Sequence, residues 1–401
     1  MRSVKNIDVK NKKVLLRCDF NVKLNDKNEV IDDFRIRQVL PTIKYLIKQN
    51  AKVVLISHFK EPSFVKKIGE KSNIGFDGSI FPIIGKLTEL LKKEIYFIDD
   101  CIGEKVRKRI EIMKGGDVLL LENVRIYKEE KEVSLEFAKE ISLLGDVFIN
   151  DSFSVSHRNH ASIAIVPQFL ESGIGFLFEK EYNTLQKVMD NPKRPLVAIV
   201  GGAKIESKIS ALHYFLENAD HLLLGGKIAN MVLIVRKIAT NLEDPGENII
   251  NIVKNINYTS SKLHLPVDVI VSKSATGNLS VRETGPGKVL KGEDIFDIGE
   301  ETISLFGDII ATAKTIIWAG PLGLSEVNVF ENGTKKVAEL VAENKKATKI
   351  IGGGDTLKAF RQFGVIDKID FASSGGGAML QFLRGGNMAG IEVLKNSLKK
   401  K

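Results

Sequence analysis

Short apolar runs recur along the whole chain, and each ends in polar residues or in glycine. In the first half these runs are KVVLIS (52–57), DVLLLE (117–122) and DVFIN (146–150). Continuous apolar runs of this length are typical of strands buried on both faces, as in a parallel sheet covered by helices. The second half repeats the pattern, with runs at 195–202, 221–226, 268–272, 315–320 and 349–354. The pattern therefore predicts two successive sets of parallel strands.

Segments with helical spacing lie between the apolar runs, for example at 134–145 and 332–344. Alternating strands and helices predict a doubly wound α/β architecture. About ten to twelve strands are too many for one compact sheet, so we expect two doubly wound, Rossmann-like parallel-sheet domains. The stretch 175–195 has helical spacing until the prolines of its NPKRP end stop the helix. This helix is the expected hinge element between the two domains.

The two halves end their strands with different chemistry. Glycine pairs and triplets end the second-half strands, whereas charged or amide residues end the first-half strands. Ligands of open parallel sheets bind beyond the carboxyl ends of the strands. Because arginine binds carboxylates and phosphates through two parallel hydrogen bonds, the first half predicts a pocket for a small, multiply anionic molecule. Its candidate residues are Arg17, Asp19, Asn21, His58, Arg125, Asn150, Asp151 and Arg158.

The glycines of the second half favour a nucleotide site. The triplets in GGGDT (352–356) and SGGGA (374–378) present backbone amides that a phosphate can approach without meeting a Cβ atom. Taken alone, a glycine triplet is also explained by tight packing. The additional pairs Gly201–Gly202 and Gly225–Gly226 make a phosphate site the better interpretation. Asp355 supplies a carboxylate of the kind that Mg²⁺ takes together with phosphate oxygens.

Two common nucleotide motifs are absent from the sequence. The stretch LVAIVGGAKIESKIS (196–210) is not a P-loop, because that motif ends in Gly-Lys-Ser/Thr and here Lys204 follows Gly-Gly-Ala. No G-x-G-x-x-G follows the first strand, which argues against a dinucleotide-dependent dehydrogenase. Lys204 and Lys208 lie four positions apart, so we expect them to share one face of a helix.

Composition narrows the class of protein. The chain has 401 residues, a formal net charge of +9 and 43% hydrophobic residues. The lysines are scattered and no nucleic-acid motif is present, so anionic small substrates are the better explanation of the charge. No apolar run approaches the roughly 18 residues of a membrane span, and the start lacks a signal-like apolar segment. Cys18 and Cys101 form no metal or redox motif and fit a reducing, cytoplasmic compartment.

Eleven motifs occur in the order found in the phosphoglycerate kinase family, and the resemblance runs from about residue 4 to 395. They are RCDFNV, DDFRI, ISH, LENVR, NDSF…HRNHAS, NPKRP, IVGGAKIESKI, LPVD, WAGPLG…E, GGGDT and SGGGAML. The resemblance implies a cytoplasmic, monomeric glycolytic kinase that reversibly transfers the acyl phosphate of 1,3-bisphosphoglycerate to MgADP, giving 3-phosphoglycerate and MgATP. It also implies that residues 1–172 and 389–401 form the phosphoglycerate-binding domain and that residues 173–388 form the nucleotide-binding domain.

The resemblance assigns roles to individual residues of this sequence. Those implied to bind phosphoglycerate are Asp19, Asn21, Arg35, His58, Arg125 and Arg158. Those implied to bind the nucleotide are Lys208, Gly226, Glu326, Gly353, Gly354, Asp355 and Thr356, with Asp355 toward Mg²⁺. Catalytic roles are implied for Arg35, Lys204, Gly353 and Gly376. In this assignment Arg35 and Lys204 hold the transferring phosphoryl group while the hinge closes and excludes water.

The sequence departs from the family pattern at several positions of the implied site. Glu61 stands where the family usually has an arginine, and Ser154 stands where it usually has a glycine. Ala319 replaces an asparagine and Lys227 replaces a small residue. A carboxylate at position 61 repels an anionic substrate. These departures leave a second reading, a catalytically weak nucleotide-binding or scaffold protein on the same fold.

Overall fold

The computed structural model describes residues 1–70, 77–203, 208–243, 246–254 and 259–396. The chain folds into two compact units. The first comprises Met1–Asn183 together with Asn387–Lys401, and the second comprises Thr184–Gly386. The boundaries expected from the sequence lie after residues 172 and 388. Which ligand each unit binds stays a prediction.

The first unit is built on a six-stranded parallel sheet. Its strands are β1 (Lys13–Asp19), β2 (Lys52–His58), β3 (Tyr96–Ile98), β4 (Val118–Leu121), β5 (Val147–Asn150) and β6 (Glu171–Ile174). They are ordered β3-β4-β2-β1-β5-β6, and every pairing is parallel. Apolar side chains on both faces of the central strands are buried, which explains the uninterrupted apolar runs in the sequence.

Helices cover this sheet in the predicted manner. They are α1 (Phe34–Lys48), α2 (Ile83–Leu91), α3 (Glu104–Glu111), α4 (Leu135–Ser142) and the start of α5 (Phe176–Asp190). The hydroxyl of Ser134 accepts a hydrogen bond from the amide of Phe137 and caps α4. The chain of α5 leaves the first unit at Asn183, and the helix ends directly before NPKRP, as predicted.

The second unit contains two sheets. Its strands are β7 (Leu196–Val200), β8 (His221–Leu224), β9 (Leu263–His264), β10 (Val269–Ser272), β11 (Val281–Thr284), β12 (Asp294–Ile298), β13 (Thr315–Ala319), β14 (Thr348–Gly352) and β15 (Phe371–Ser373). The main sheet is parallel and has the order β15-β14-β13-β7-β8-β9. Two doubly wound parallel sheets, one in each unit, confirm the predicted fold class.

One strand lies in a different sheet from the one predicted. The run at 268–272 was expected in the parallel sheet, but β10 pairs antiparallel with both β11 and β12. The neighbouring strand β11 alternates exposed and half-buried residues and therefore has no continuous apolar run. A small antiparallel sheet with one solvated face leaves only this weak alternation in the sequence, so the sequence analysis missed it.

The remaining helices complete the second unit and the tail. They are α6 (Ile209–Asn218), α7 (Gly226–Val235), α8 (Glu247–Lys254), α9 (Glu300–Thr312), α10 (Asn332–Glu343), α11 (Gly354–Gln362), α12 (Gly376–Leu383) and α13 (Ala389–Asn396). The tail helix α13 belongs to the first unit, where the amide of Gly390 donates to the carbonyl of Ser156 at 2.9 Å. Within the described ranges, no helix is long and apolar enough to cross a membrane.

Candidate active site

Parallel pairing brings the polar strand ends of the first unit together. Asp19 pairs in register with His58, and Arg17 pairs with Asn150. The carboxyl ends of β1, β2 and β5 therefore lie side by side at one edge of the sheet. We call the six residues Arg17, Asp19, Arg35, His58, Arg125 and Arg158 the basic cluster.

Asp19 is the anionic centre of the basic cluster. Its Oδ2 atom accepts hydrogen bonds from the guanidinium of Arg35 and the hydroxyl of Ser154, and its Oδ1 accepts the amide of Asn21 at 3.0 Å. Burial alone would raise the pKa of Asp19, but Arg35, His58 and these hydrogen bonds outweigh it and hold the pKa well below its usual range. The carboxylate stays charged and fixes Arg35 beside the strand ends.

His58 is a buried imidazole beside Asp19. Its Nε2 lies 3.8 Å from Oδ1 of Asp19. Burial lowers its pKa well below the ordinary value, and the surrounding arginines lower it further, although Asp19 opposes them. Its Nδ1 is buried and has no hydrogen-bond partner among the described residues. Buried polar atoms are normally hydrogen-bonded, so this atom points to a ligand contact.

Asn123 positions Arg125 by linking two strand ends. Its side-chain oxygen accepts the amide of Phe59 at 3.0 Å and the amide of Arg125 at 3.1 Å. Its side-chain nitrogen donates to the carbonyls of Lys60 and Gly78 at 3.0 and 2.8 Å. Burial, followed by the nearby Arg158, lowers the pKa of Arg125. The Nε atom of Arg125 is also buried without a partner in the described chain.

Arg158 and Asn21 lie at the exposed border of the basic cluster. The charge of Arg158 contributes to the low pKa values of His157 and His160, which burial lowers to about 4 in each case. Arg17 is 1% exposed and donates from Nε to the hydroxyl of Ser162 at 2.9 Å. Arg17 is therefore a buried, structural member of the cluster, whereas the exposed Arg158 and Asn21 are accessible to a ligand.

Glu61 makes two contacts with cations at the basic cluster. Its carboxylate pairs with Lys131 and lies 3.6 Å from Nη1 of Arg125. The hydrogen bond from Lys131, which is the largest influence, lowers the pKa of Glu61. Glu61 is visible in the sequence as a departure from the family pattern. Its pairing with Lys131 is not, because no local pattern links positions 70 residues apart.

Glycines of the second unit bring several turns into close contact. We call Gly201, Gly202, Gly226, Gly320, Gly353 and Gly376 the glycine cluster. A methyl group on Gly226 would lie 2.7 Å from the amide nitrogen of Gly202, and one on Gly376 would lie 2.5 Å from the Cα of Gly353. Gly226 and Gly353 also have positive φ angles of 58° and 102°. Side chains larger than hydrogen cannot be accommodated there without displacing backbone.

Three helices begin at these turns. The first residues of α7, α11 and α12 are Gly226, Gly354 and Gly376, directly after β8, β14 and β15. The first amides of a helix have no partner within the helix, and the helix dipole adds partial positive charge there. The amide of Gly226 donates to the carbonyl of Leu322 at 2.7 Å. The first turns of α11 and α12 place further amide groups at this edge, and these suit phosphate oxygens.

Lys208 and Thr356 tie the turns to each other. The Nζ of Lys208 donates to the carbonyl of Gly201, and the amide of Gly320 donates to the hydroxyl of Thr356 at 2.7 Å. Lys208 immediately precedes α6, which begins at Ile209. The prediction that Lys204 and Lys208 share a helix face stays a prediction, since only Lys208 is described, at the N-cap of α6 with its side chain reaching back to the preceding turn. Lys204 lies outside the described residues.

Asp355 and Glu326 are exposed side chains. Asp355 stands in the first turn of α11, beside the amides of Gly353 and Gly354. Among the described residues there is no group of three or more His, Cys, Asp or Glu side chains that could hold a metal. A single exposed carboxylate next to a phosphate-type turn fits Mg²⁺, which completes its coordination with phosphate oxygens and water. Glu326 makes no hydrogen bond or ion pair with any described residue, so its assignment rests on the resemblance alone.

Two residues of the second unit, Ala319 and Lys227, differ from the family pattern. Ala319 ends β13, and its carbonyl accepts the amide of Gly201 at 3.0 Å, so the shorter side chain leaves this backbone link intact. Lys227 is exposed in the first turn of α7, where it adds a cation beside the glycine cluster.

The burial of Asp297 leads us to expect that the stability of the protein depends on pH. It is 1% exposed, its Oδ2 accepts the amide of Gly333 at 2.7 Å, and burial raises its pKa to about 8. The folded state therefore holds a proton that the unfolded state has lost above about pH 4, so the free energy of unfolding falls as the pH rises toward 8. We expect Asp297→Asn to flatten the decline of Tm between pH 6 and 9. The exposed Asp308→Asn is the control, and parallel curves for Asp297→Asn and the wild type would contradict the assignment.

The sequence model of the phosphoglycerate kinase family matches residues 4–386. The phosphoglycerate kinase of Wolbachia sp. subsp. Drosophila simulans (strain wRi) is 41% identical over 405 residues, with 99% of both chains covered. That of Aquifex aeolicus (strain VF5) is 39% identical over 398 residues, with 96% of both covered.

Solved structures give the same result. The phosphoglycerate kinase from Pyrococcus horikoshii OT3 superimposes with a TM-score of 0.86 at 28% identity, covering 100% of both chains. The enzyme from Coxiella burnetii superimposes with a TM-score of 0.81 at 32% identity, covering 99% of both chains.

Proposed function

This chain belongs to the phosphoglycerate kinase family, and from that premise we propose how its two units divide the work of the reaction. The enzyme is a glycolytic kinase that reversibly transfers the acyl phosphate of 1,3-bisphosphoglycerate to ADP, giving 3-phosphoglycerate and ATP. In our proposal the basic cluster binds the phosphoglycerate, and the glycine cluster with Lys208 binds the nucleotide phosphates.

The chemistry of the step determines which side chains are needed. An oxygen of the terminal phosphate of ADP attacks the phosphoryl group, and the carboxylate of 3-phosphoglycerate leaves. The attacking oxygen is already anionic, and the leaving oxygen takes the electron pair of the broken P–O bond and departs as a stable carboxylate, so neither a general base nor a general acid is required. Catalysis then consists of positioning and of stabilising the charge on the transferring group. Fixed cations and backbone amides are the groups suited to this task.

On the first unit, we assign the phosphoglycerate to Asp19, Asn21, Arg35, His58, Arg125 and Arg158. Two buried atoms without a hydrogen-bond partner among the described residues, Nδ1 of His58 and Nε of Arg125, support the assignment, because a bound anionic and hydroxylated molecule would supply their partners. Asp19 orients Arg35, whose guanidinium we assign to the transferring phosphoryl group.

On the second unit, we assign the nucleotide phosphates to Lys208, Gly226 and the turn formed by Gly353, Gly354 and Thr356. Glu326 is assigned to the ribose hydroxyls. Lys204 and Gly376 are assigned to the transferring group, Lys204 as a cation and Gly376 as an amide donor. Asp355 would hold Mg²⁺, which shields charge on the nucleotide phosphates when bound.

The two ligands are assigned to different units, so transfer requires the units to bring them together during turnover. We propose that α5 contributes to this hinge motion and that closure excludes water from the acyl phosphate. The monomeric state and the cytoplasmic location expected from the sequence belong to the same proposal.

The unpartnered polar atoms of the basic cluster carry the proposal, and a coupled assay tests it. The enzyme should form ATP from 1,3-bisphosphoglycerate and ADP when Mg²⁺ is present. Chelation of the metal should abolish the activity, and added Mg²⁺ should restore it. Absence of ATP formation by a folded protein at millimolar substrate would refute the assigned activity.

The position of Glu61 predicts a gain in substrate affinity on substitution. Its carboxylate competes with an anionic substrate for Arg125, so Glu61→Gln should lower KM for 3-phosphoglycerate by about two- to fivefold. Glu61→Arg should lower KM further, and kcat should change little in both variants. Glu132→Gln is the control, because Glu132 is exposed and pairs with Lys128 instead. An unchanged or higher KM for Glu61→Gln would show that the carboxylate does not compete.

A further inference from the structure

The first unit contains a large cavity whose described walls include none of the basic cluster. Its volume is ≈ 1090 Å³, and it lies beyond the carboxyl ends of β2, β3 and β4. This edge is where open parallel sheets bind ligands. The volume is just above the roughly 300–1,000 Å³ that sites for small organic molecules typically measure, so such a molecule fits inside.

One wall of the cavity is aromatic and apolar. Phe59, Phe81 and Phe97 line it, and the rings of Phe81 and Phe97 meet edge to face at 5.3 Å between centroids. Phe81 is 59% exposed although it is one of the largest apolar side chains. Ile112, which is 71% exposed, lines the same cavity. An apolar ligand body would cover side chains that water now covers.

Another part of the wall is a cationic stripe on one helix. Lys105, Lys108 and Arg109 of α3 line the cavity together with Ile112, at spacings of three and four residues that place them on one face. Val106 and Ile110, on another face of α3, are buried in the core. The helix thus directs its charged face into the cavity that Phe81 and Phe97 also line.

Part of this charge is uncompensated. Lys105 pairs with Asp99 and Lys108 pairs with Glu104. Arg109 lies over the ring of Tyr96 at 4.0 Å, and no carboxylate of the described residues is within ion-pair distance of it. The buried Glu122 at the base of the cavity is occupied by the hydroxyl of Ser79 and by two backbone amides. Lys60 and Asp77, which also line the cavity, have opposite charges, so the net complementarity is for a negative charge beside Arg109.

We propose that this cavity is a second ligand site that binds a small amphipathic anion, meaning an aromatic or short aliphatic body with one carboxylate, sulfonate or phosphate group. The apolar body packs on Phe81 and Phe97, and the anionic group meets Arg109 and Lys108. The site is separate from the phosphoglycerate site, and its occupant is not a substrate of the kinase reaction.

A fluorescent aromatic sulfonate, 8-anilinonaphthalene-1-sulfonate, tests the proposal on the full-length enzyme. Titration is performed with saturating 3-phosphoglycerate and MgADP present, so that both substrate sites are occupied. The proposal predicts one bound probe per chain. It also predicts that the neutral N-phenyl-1-naphthylamine binds about tenfold more weakly, because it lacks the charge-assisted contact.

Matched variants locate the probe. Arg109→Gln and Phe81→Ser should each raise its Kd by about five- to tenfold. The controls are Arg107→Gln, on the same helix but paired with Glu140 at 3.0 Å, and Phe169→Ser, a 40% exposed phenylalanine elsewhere on the unit. Unfolding curves establish that all four variants are folded. Displacement of the probe by the substrates, equal weakening by the controls, or no binding by the wild type would overturn the proposal.

Discussion

We expect Lys204→Ala to lower kcat by about 10²–10³-fold while KM for both substrates changes by less than about threefold. In our proposal the Lys204 ammonium contacts the equatorial oxygens of the transferring group, where charge rearranges most in the transition state. Its removal therefore costs transition-state stabilisation and little ground-state binding. Steady-state kinetics in both directions measure the split between kcat and KM.

Two further lysine variants act as controls for that result. Lys204→Arg keeps the positive charge and should retain more activity than Lys204→Ala. Lys208→Ala removes a lysine assigned to nucleotide binding, so its main effect should be a higher KM for the nucleotide. If Lys204→Ala showed wild-type kcat and KM, the assigned role would be wrong.

Arg35→Ala should lower kcat/KM for 3-phosphoglycerate by about 10²–10³-fold, through both a lower kcat and a higher KM. Arg35 pairs with the buried Asp19, which fixes its guanidinium at the strand ends. Arg35→Lys keeps the charge but not the planar fork, so we expect it to recover only part of the loss. KM for the nucleotide should stay near the wild-type value.

Arg37→Ala is the matched control on the same helix, because Arg37 is exposed and pairs with Asp33 at 2.8 Å. It should have near wild-type kinetics. Comparison of unfolding curves separates catalysis from stability, since Arg35→Ala also removes a partner from a buried carboxylate. Equal losses of activity in Arg35→Ala and Arg37→Ala would show a general effect on α1 rather than a contact with the substrate.

The fold could be predicted because the central strands of both parallel sheets are buried on both faces. Strands such as β4 and β13 then appear as uninterrupted apolar runs between helical segments. The same reasoning missed β11 and misplaced β10, since a solvated antiparallel sheet obeys a different pattern. The edge strand β9 has only two residues, which are too few to show a pattern of apolar positions in the sequence.

The candidate residues could be predicted because parallel strands end at one edge, which brings Asp19 and His58 into register. The pKa values of Asp19 and His58 could not be predicted from the sequence. The pKa of Asp19 depends on Arg35 and Ser154, and the pKa of His58 depends on burial, and these are contacts of the tertiary fold. The pairing of Glu61 with Lys131 likewise required coordinates.

The cavity beside α3 shows the same limit. In the sequence, Lys105, Lys108 and Arg109 are an ordinary solvated helix face. Only the fold brings this face to the same cavity as Phe81 and Phe97, which come from different parts of the chain.

Separate calorimetric titrations of 3-phosphoglycerate and of MgADP most directly test the division of the two ligands between the units. The proteins compared are the wild type, Arg125→Ala and Lys208→Ala. We expect Arg125→Ala to weaken the binding of 3-phosphoglycerate about tenfold or more and to leave that of MgADP unchanged, because a charge-assisted contact is lost on one unit only. Lys208→Ala should do the reverse. If either variant weakened the binding of both ligands equally, or if the wild type bound neither ligand, the proposed division of the ligands between the units would be wrong.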